Sequence, residues 1–278
     1  MFRLMGAYLI KVEICQEGNR MNQKIIGLIR EYIEKYKNWK PVETIWREPV
    51  IGFADAEDHL FFELKEIIGA NHVLPTDIVP HAKSVIVFFL PFSKKIVKSN
   101  IFGEESSKEW DYACIETNNL INDLSKYLHE TITEMGFNAS LLPSTYNYDE
   151  EKLISDWSHR SVAYISGIGK FGINNMLITK SGCCGRLGSV ITDMELTPSL
   201  RTSEEYCLYK VNGTCKKCIE KCVNKAFEWQ NEIVIFNRQS CNEQIYEKIV
   251  AEYPIGLGDA CGKCMCEMPC SYGIPRNI

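Results

Sequence analysis

The sequence predicts an α+β protein in two parts, an α/β layer followed by a small cysteine-rich module. Three observations predict it. Ser84-Val-Ile-Val-Phe-Phe-Leu90 is a continuous apolar run ended by Pro91, the pattern of a strand buried on both faces. Between Ser106 and Met135, Trp110, Ala113, Ile115, Leu120, Leu124, Leu128 and Ile132 fall near helical spacing and stop at Gly136, which predicts a long helix packed on that strand's sheet. Eight cysteines then crowd the stretch from Cys207 to Cys270. The expected division is 21–200 for the α/β part and 201–278 for the cysteine module.

The remaining elements follow in order. Residues 1–20 look unlike what comes after, and Met21 opens a helical pattern with Ile25, Ile26, Leu28, Ile29, Ile33 and Tyr36 on one broad face. A polar, proline-containing connector from Lys37 to Gly52 leads to an amphipathic helix around Asp58 to Ile68, ended by Gly69. Ala139 to Pro143 reads as a short strand and Asp149 to Ser158 as a short helix. Met176 to Lys180 and Leu187 to Asp193 read as strands around the tight turn Ser181-Gly-Cys-Cys-Gly-Arg186. No fixed-period repeat or low-complexity tract interrupts the chain, so the two parts are expected to pack together.

Composition excludes some classes. The chain has 278 residues, 45% hydrophobic and 24% charged, which suffices for a sizeable core. Its net charge of −5 supplies no global basic field for a polyanion. Met1 to Ile10 is broken by Arg3 and has neither a cleavage site nor an apolar run of spanning length. A cytoplasmic protein without membrane attachment is the expectation, in a compartment where thiols stay reduced.

The cysteine module carries the clearest chemistry. Two-cluster ferredoxins hold [4Fe–4S] cubanes with a C-x2-C-x2-C-x3-C-P run whose fourth cysteine ligates the other cluster. Cys215-x2-Cys218-x3-Cys222 reproduces the second half of that run, with Val223 in the proline's place and Cys207 as a more distant first cysteine. Cys241 and then Cys261-x2-Cys264-x5-Cys270 follow, with Cys266 inside the last interval. If the runs exchange their last members, one cluster takes Cys207, Cys215, Cys218 and Cys270, and the other takes Cys222, Cys241, Cys261 and Cys264. Two residues between thiolates bend a loop around a cube corner, and a cysteine three residues later reaches a second cube. A zinc ribbon is the competing reading, but it wants C-x2-C pairs about 15–20 residues apart, and far more chain separates Cys218 from Cys261. Disulfides need an oxidising compartment and sit poorly with an odd total of 13 cysteines.

A second stretch concerns a cofactor. Gly167-Ile-Gly-Lys-Phe-Gly172 satisfies G-x-G-x-x-G, and Asp193 stands 21 residues beyond it, which imitates a dinucleotide fingerprint. A true fingerprint opens a long helix, whereas Ser181-Gly182 arrives after eight residues. The alternatives are a loop against another flat or bulky cofactor, with Gly167, Gly169, Phe171, Gly172 and Asn174 as its contacts, or a structural loop where backbones approach closely. Tyr146, Tyr148, Asp149, His159 and Arg160 flank it, and Tyr146, Asp149 and His159 are the candidate proton donors; each also has an ordinary structural role open to it. Cys183 and Cys184 are either a redox pair or small core residues. Cys15, Cys114 and Cys266 lack partners at ligand spacing.

Tyr164-Ile-Ser-Gly-Ile-Gly-Lys-Phe-Gly-Ile-Asn-Asn175, then Leu187-Gly-Ser-Val-Ile-Thr-Asp193, then the two cysteine runs, resemble the epoxyqueuosine reductase family, itself related to reductive dehalogenases. The likeness spans about residues 75–275 and is strongest in the cysteine module, which looks most like a short single-chain branch. The resemblance implies a nitroreductase-like α/β sandwich that binds a corrinoid, cobalamin in kind, with a two-cluster ferredoxin-like domain passing electrons to its cobalt. It also implies that the loop 167–175 lies against the corrin. Better-known members carry a proton-donating aspartate in a Val-Asp-x-x-Pro context, where this chain reads Leu142-Pro-Ser-Thr-Tyr-Asn-Tyr-Asp149. Longer members add a helical-repeat domain suited to transfer RNA, whereas this sequence ends eight residues after Cys270. The expectation is therefore a reductase of a small or nucleoside substrate, fed by reduced ferredoxin or flavodoxin docking on Lys216, Lys217, Lys221 and Lys225, with tRNA in doubt. The alternative is an electron carrier or activator that docks a partner and does no chemistry.

Overall fold

The computed structural model describes residues 2–231 and 233–275, with side chains from Asn19 onward. Helix α1 (Phe2–Trp39) precedes strand β1 (Val50–Asp55), and helices α2 (Leu60–Ile67) and α3 (Pro75–Ile78) lead to β2 (Ser84–Pro91). Helices α4 (Lys94–Ser99) and α5 (Lys108–Glu134) follow, then the hairpin β3 (Tyr148–Asp149) and β4 (Ile154–Ser155). Helix α6 (His159–Ile165), the strands β5 (Gly169–Phe171) and β6 (Leu177–Thr179), and β7 (Gly185–Thr192) complete this part. The architecture is α+β with small sheets, the largest being an antiparallel β1-β2-β7 sheet.

Strand β2 is the centre of the molecule, and all eight of its residues are buried. Successive strand side chains face opposite ways, so Ile86, Phe88 and Leu90 enter one core while Val85, Val87 and Phe89 enter another. The first core is closed by Ile25, Ile29, Ile33 and Tyr36 of α1 and by Leu120, Ile121, Leu124 and Leu128 of α5. The second is closed by Phe61 and Leu64 of α2, Val162, Ala163 and Ile165 of α6, and Trp157. Each large apolar side chain so buried contributes roughly 1.5–3 kcal/mol, which explains why the run carries no polar residue between Ser84 and Pro91. Helix α5 begins where Ser107 Oγ accepts the Trp110 amide at 3.2 Å, a serine cap of the usual kind.

Several expectations are corrected. The helical pattern expected from Met21 belongs to a helix that starts at Phe2. Strand β1, inside the expected connector, was hidden by Gly52; a Cβ there would stand 2.3 Å from Ile168 Cγ2, so the strand needs a glycine where α6's C-terminal turn crosses it. Ala139 forms only an isolated bridge to Thr192. The helix expected over Asp149–Ser158 is the β3–β4 hairpin instead, because the Asp149 carboxylate accepts the Glu151 and Lys152 amides and folds a turn. The two strands around the Ser181–Arg186 turn exist, but β6 pairs with β5 and β7 joins the central sheet.

The cysteine-bearing stretch packs onto the first core. It comprises α7 (Leu208–Asn212), α8 (Lys217–Glu220), the hairpin β8 (Phe227–Gln230) and β9 (Ile233–Phe236), α9 (Arg238–Glu243), a π-helical turn over Gln244–Ile249, and the hairpin β10 (Ala251–Tyr253) and β11 (Gly256–Gly258). Tyr253 Oη donates to Asp111 on α5 at 2.9 Å. The closing segment runs against the 181–184 turn, where the Cys183 amide donates to the Cys270 carbonyl at 3.0 Å. Gly182 makes this seam possible: its φ is +86°, and a Cβ there would stand 2.3 Å from the Ser271 carbonyl oxygen. Gly182→Ala should therefore cost about 2–4 kcal/mol, the sum of a left-handed backbone and a backbone clash, read as a lower urea midpoint.

Candidate metal centre and adjoining recess

Four of the predicted ligand thiols meet around one space. Cys207 precedes α7, Cys215 lies between α7 and α8, Cys218 sits on α8, and Cys270 arrives from the closing segment. With Gly172, Ile173, Asn174, Ile178, Leu208, Met268, Pro269 and Pro275 they line one small pocket. Burial and the neighbouring Cys270, Cys207 and Cys215 thiols push Cys218 up to about 12. Gly213, with φ +75°, ends α7 and turns the chain back so that Cys215 rejoins Cys207.

The other four thiols form a neighbouring group. Burial first, then Cys261 and Cys222, push the Cys241 thiol up to about 11, while nearby Arg160 acts in the opposite direction. Burial and the Cys261, Cys241, Cys222 and Cys218 thiols raise Cys264 well above its ordinary value. Cys218 is thus the bridge between the two groups. Backbone amides face these sulfurs: Ala226 N–H donates to Cys222 Sγ at 3.2 Å, and the Lys263 amide bonds to Cys261. Every cysteine from Cys114 onward is free, while Cys15 lies outside the described side chains. Among the described residues no three Cys, His, Asp or Glu side chains converge on a single-ion site.

Two buried polar residues clamp the Cys261–Cys264 loop. Asn100, with no exposed surface, donates to the Cys261 carbonyl at 2.9 Å. Lys263, 1% exposed, donates Nζ to the carbonyls of Asn100 at 3.2 Å and Phe102 at 2.6 Å. Gly262 has φ +65° and lies so close to the Trp110 ring that a Cβ would stand 2.1 Å from Cζ2. Trp110 Nε1 is buried without a hydrogen-bond partner among the described residues. Neither Asn100 nor Lys263 was singled out by the sequence reading, although a lysine inside a C-x2-C pair is a visible signal.

The glycine loop has a different role from a nucleotide cradle. Gly169 to Phe171 is strand β5 rather than the start of a helix. Asp193 accepts from the amide and side chain of Asn138. The missing Cβ positions are filled by the chain itself: Gly167 by the Leu200 carbonyl at 2.9 Å, Gly169 by Ile178 O at 2.7 Å, and Gly172 by Asn174 Oδ1 at 2.8 Å. Asn174 is 2% exposed and donates to the Cys264 carbonyl at 2.9 Å. Phe171 packs beside Tyr164. The loop therefore braces the thiol groups, with Gly172, Ile173 and Asn174 in the cavity wall.

The three candidate proton donors are not brought together. His159 is buried, with Nδ1 3.0 Å from Ser189 Oγ and Nε2 3.2 Å from the Pro143 carbonyl, and burial holds its pKa down at about 4. Asp149 is held low by the Lys152 amide and ammonium in its turn, so it keeps its charge instead of giving up a proton. Tyr146 is half-buried against the second core. A different set faces the Cys241 thiol. Tyr148 and Tyr246 are 42% and 44% exposed, yet desolvation raises both, with Cys241 also acting on Tyr148 and Asp259 on Tyr246. Desolvation likewise lowers the guanidinium of solvent-exposed Arg160, and neighbouring Arg238 adds to it. Tyr148 and Arg160 thus lie beside the second thiol group.

No family model and no curated protein matches the chain. Solved structures do. An epoxyqueuosine reductase from Bacillus subtilis overlays with a TM-score of 0.51 at 20% identity, covering 91% of this chain and 68% of that one. The Streptococcus thermophilus epoxyqueuosine reductase gives 0.52 at 17% identity, with coverages of 88% and 67%. The fold is that of the epoxyqueuosine reductases. It extends to reductive dehalogenases: a catabolic enzyme in complex with 3-bromo-4-hydroxybenzoic acid gives 0.56 at 15% identity, covering 81% of this chain but 30% of that one. Within this fold no helix among the described residues is long and apolar enough to cross a membrane.

The state of His159 has a measurable consequence. The unfolded chain protonates this histidine near its ordinary 6.5, while the folded chain resists until about 4. Protons therefore favour the unfolded state, and stability should fall as pH drops from about 6.5 toward about 4. His159→Gln should be less stable at pH 7 but lose this part of the slope, as read from urea midpoints across that window.

Proposed function

We propose that the chain is an iron–sulfur oxidoreductase with a nitroreductase-like sandwich over 21–200 and a two-cluster ferredoxin-like module over 201–278. One [4Fe–4S] cluster is held by Cys207, Cys215, Cys218 and Cys270, and the second by Cys222, Cys241, Cys261 and Cys264. The observation that carries this reading is the cavity walled by four thiols from separate segments, with the other four adjacent. Two adjoining groups of four thiols suit two four-thiolate clusters better than one tetrahedral ion, which takes four ligands in all. The amides aimed at Cys222 and Cys261, and the unpartnered Trp110 indole against Gly262, fit a sulfur-rich anion in the same place.

Electrons enter at the first cluster. Beside it, Trp229, Ile233 and Ile235 of β8 and β9 and Val211 of α7 are exposed, and Lys216 lies over the Trp229 and Tyr209 rings. The lysine set is no continuous helical stripe, since α8 covers only Lys217–Glu220 and Lys221 pairs with Glu267 at 2.8 Å. Lys216 and Lys217 still offer charge next to an apolar patch, which suits an acidic donor such as reduced ferredoxin or flavodoxin. The same patch serves the alternative reading, a carrier that docks a partner and does no chemistry.

A second cluster on Cys222, Cys241, Cys261 and Cys264 would supply electrons beside Tyr148 and Arg160, which interact with the Cys241 thiol. A small or nucleoside substrate reduced there would find the phenols of Tyr148 and Tyr246 as proton donors. The Cβ positions of Gly167 and Gly169 are filled by the chain's own backbone, so packing alone accounts for these two glycines and a corrinoid is not needed to explain them. tRNA is not the expected substrate, since binding it draws on several phosphate contacts and the chain is net acidic.

Anaerobically reconstituted protein should contain iron and sulfide matching two cubanes and no tightly held zinc. Cys215→Ser and Cys261→Ser should each lose one cluster and leave the other; a single zinc, or loss of both clusters from either change, would overturn the assignment. Reduction by ferredoxin should slow as salt rises beyond about 0.1 M, where screening falls to about 10 Å, and slow further in Lys217→Glu. In single-turnover assays the reduced protein should leave epoxyqueuosine-containing tRNA unconverted, and conversion at a useful rate would restore tRNA as the substrate.

A further inference from the structure

Lys263 is a buried lysine with no salt bridge among the described residues. It is 1% exposed, its Nζ donates only to the carbonyls of Asn100 and Phe102, and among the described residues it forms no ion pair. Asp111, the buried acid on the same side, takes the Tyr253 hydroxyl at 2.9 Å and acts on Lys263 only through space. An unpaired charge in a protein interior is strongly destabilising unless an opposite charge compensates it. The residue stands inside Cys261-Gly-Lys-Cys264, and Asn100 ties its Nζ and the Cys261 carbonyl into one knot. The four-thiolate cluster proposed for this loop would be a stronger anion within reach of Lys263, which already acts on the Cys261 thiol.

The two cluster sites differ sharply in this respect. The wall of the Cys207, Cys215, Cys218 and Cys270 cavity contains no charged side chain. The nearest lysines of that module lie at the surface, Lys216 over two aromatic rings and Lys221 paired with Glu267. Cluster potentials follow net charge and hydrogen bonding to the sulfurs, and a fixed cation in low dielectric favours the more negative, reduced form.

We infer that Lys263 makes the cluster on Cys222, Cys241, Cys261 and Cys264 the higher-potential one, so that electrons would run to it from the cluster on Cys207, Cys215, Cys218 and Cys270. The inference rests on the two-cluster reading above. The steps balance as single electrons. Reduced ferredoxin or flavodoxin would give up one electron to take the first cluster from its 2+ to its 1+ core, and the first would return to 2+ as the second became 1+. No atom or proton moves in either step.

The test is a potentiometric titration of anaerobically reconstituted protein followed by electron paramagnetic resonance. Cys215→Ser and Cys261→Ser identify which signal belongs to which cluster, and iron and sulfide are counted in every sample. In the unaltered protein the signal perturbed by Cys261→Ser should titrate at the higher potential. Lys263→Met should shift that signal to lower potential without moving the other, and Lys263→Arg should leave it near its original place. Equal or reversed potentials in the unaltered protein would overturn the inference, as would an unmoved signal in a Lys263→Met protein with full iron. Should Lys263→Met fail to retain its cluster, the order in the unaltered protein and the Lys263→Arg value decide the matter. Iron and sulfide short of two cubanes in the unaltered protein would instead defeat the two-cluster reading itself.

Discussion

The structure depends on a seam where the end of the cysteine module is pressed against the 181–184 turn. Cys270 must return from the far end of the module to stand with Cys207, Cys215 and Cys218, and nothing within the module's own short elements carries it there. The sheet carries it. Arg47 donates Nε to the Phe92 carbonyl at 2.9 Å, Nη1 to Tyr272 at 3.1 Å and Nη2 to Ser181 at 2.5 Å, so one guanidinium fixes the exit of β2, the turn and the closing segment. A fork of five rigid donors suits such a junction better than a lysine would. Cys183 and Cys184 lie beneath it, 3% and 0% exposed, with Cys184 Sγ 3.2 Å from the Met265 carbonyl. They act as small packing residues where a larger side chain would push the module away from the sheet.

The same logic explains why so much polarity is buried nearby. Asn100, Asn174, Ser271 and Lys263 are each 2% exposed or less, and each bonds to or within the cysteine loops. Irregular cysteine loops cannot satisfy their carbonyls by regular pairing, so Asn100 and Asn174 from the sheet-bearing part supply donors to them. Asn100 serves three partners at once, since its Oδ1 also takes the Ser107 amide at 3.0 Å. That serine caps α5, so the start of this 27-residue helix and the Cys261–Cys264 loop are set by one side chain. Preorganisation of this kind holds ligands in place with little rearrangement.

The elements legible in the sequence were those with one dominant pattern. The run Ser84–Leu90 and the spacing from Trp110 to Ile132 became β2 and α5 almost as read, because burial on a strand or on one helix face leaves a periodic trace. The β3–β4 hairpin left none: its turn is made by the Asp149 carboxylate and by Asn147 and Leu153 at positive φ, and such local polar bonding has no apolar period. Strand β1 was masked by Gly52, a residue required by Ile168 from a distant segment. His159 looked like a proton donor because a sequence lists its imidazole without its burial.

What the sequence determined by itself was the chemistry on offer. The spacing of the cysteines says which thiols a loop can bring to one corner, since that depends only on chain geometry over a few residues. The tertiary structure decided everything that depends on approach between distant segments. It put Cys270 in the wall with Cys207, filled the Cβ positions of the glycine loop with the chain's own atoms, and left Tyr148 and Arg160 beside the Cys241 thiol while burying His159. It also buried one lysine of a C-x2-C pair next to the Cys261 thiol. Spacing is a local property of the chain, whereas burial and charge compensation come from residues far apart in sequence, and only folding selects which of them meet.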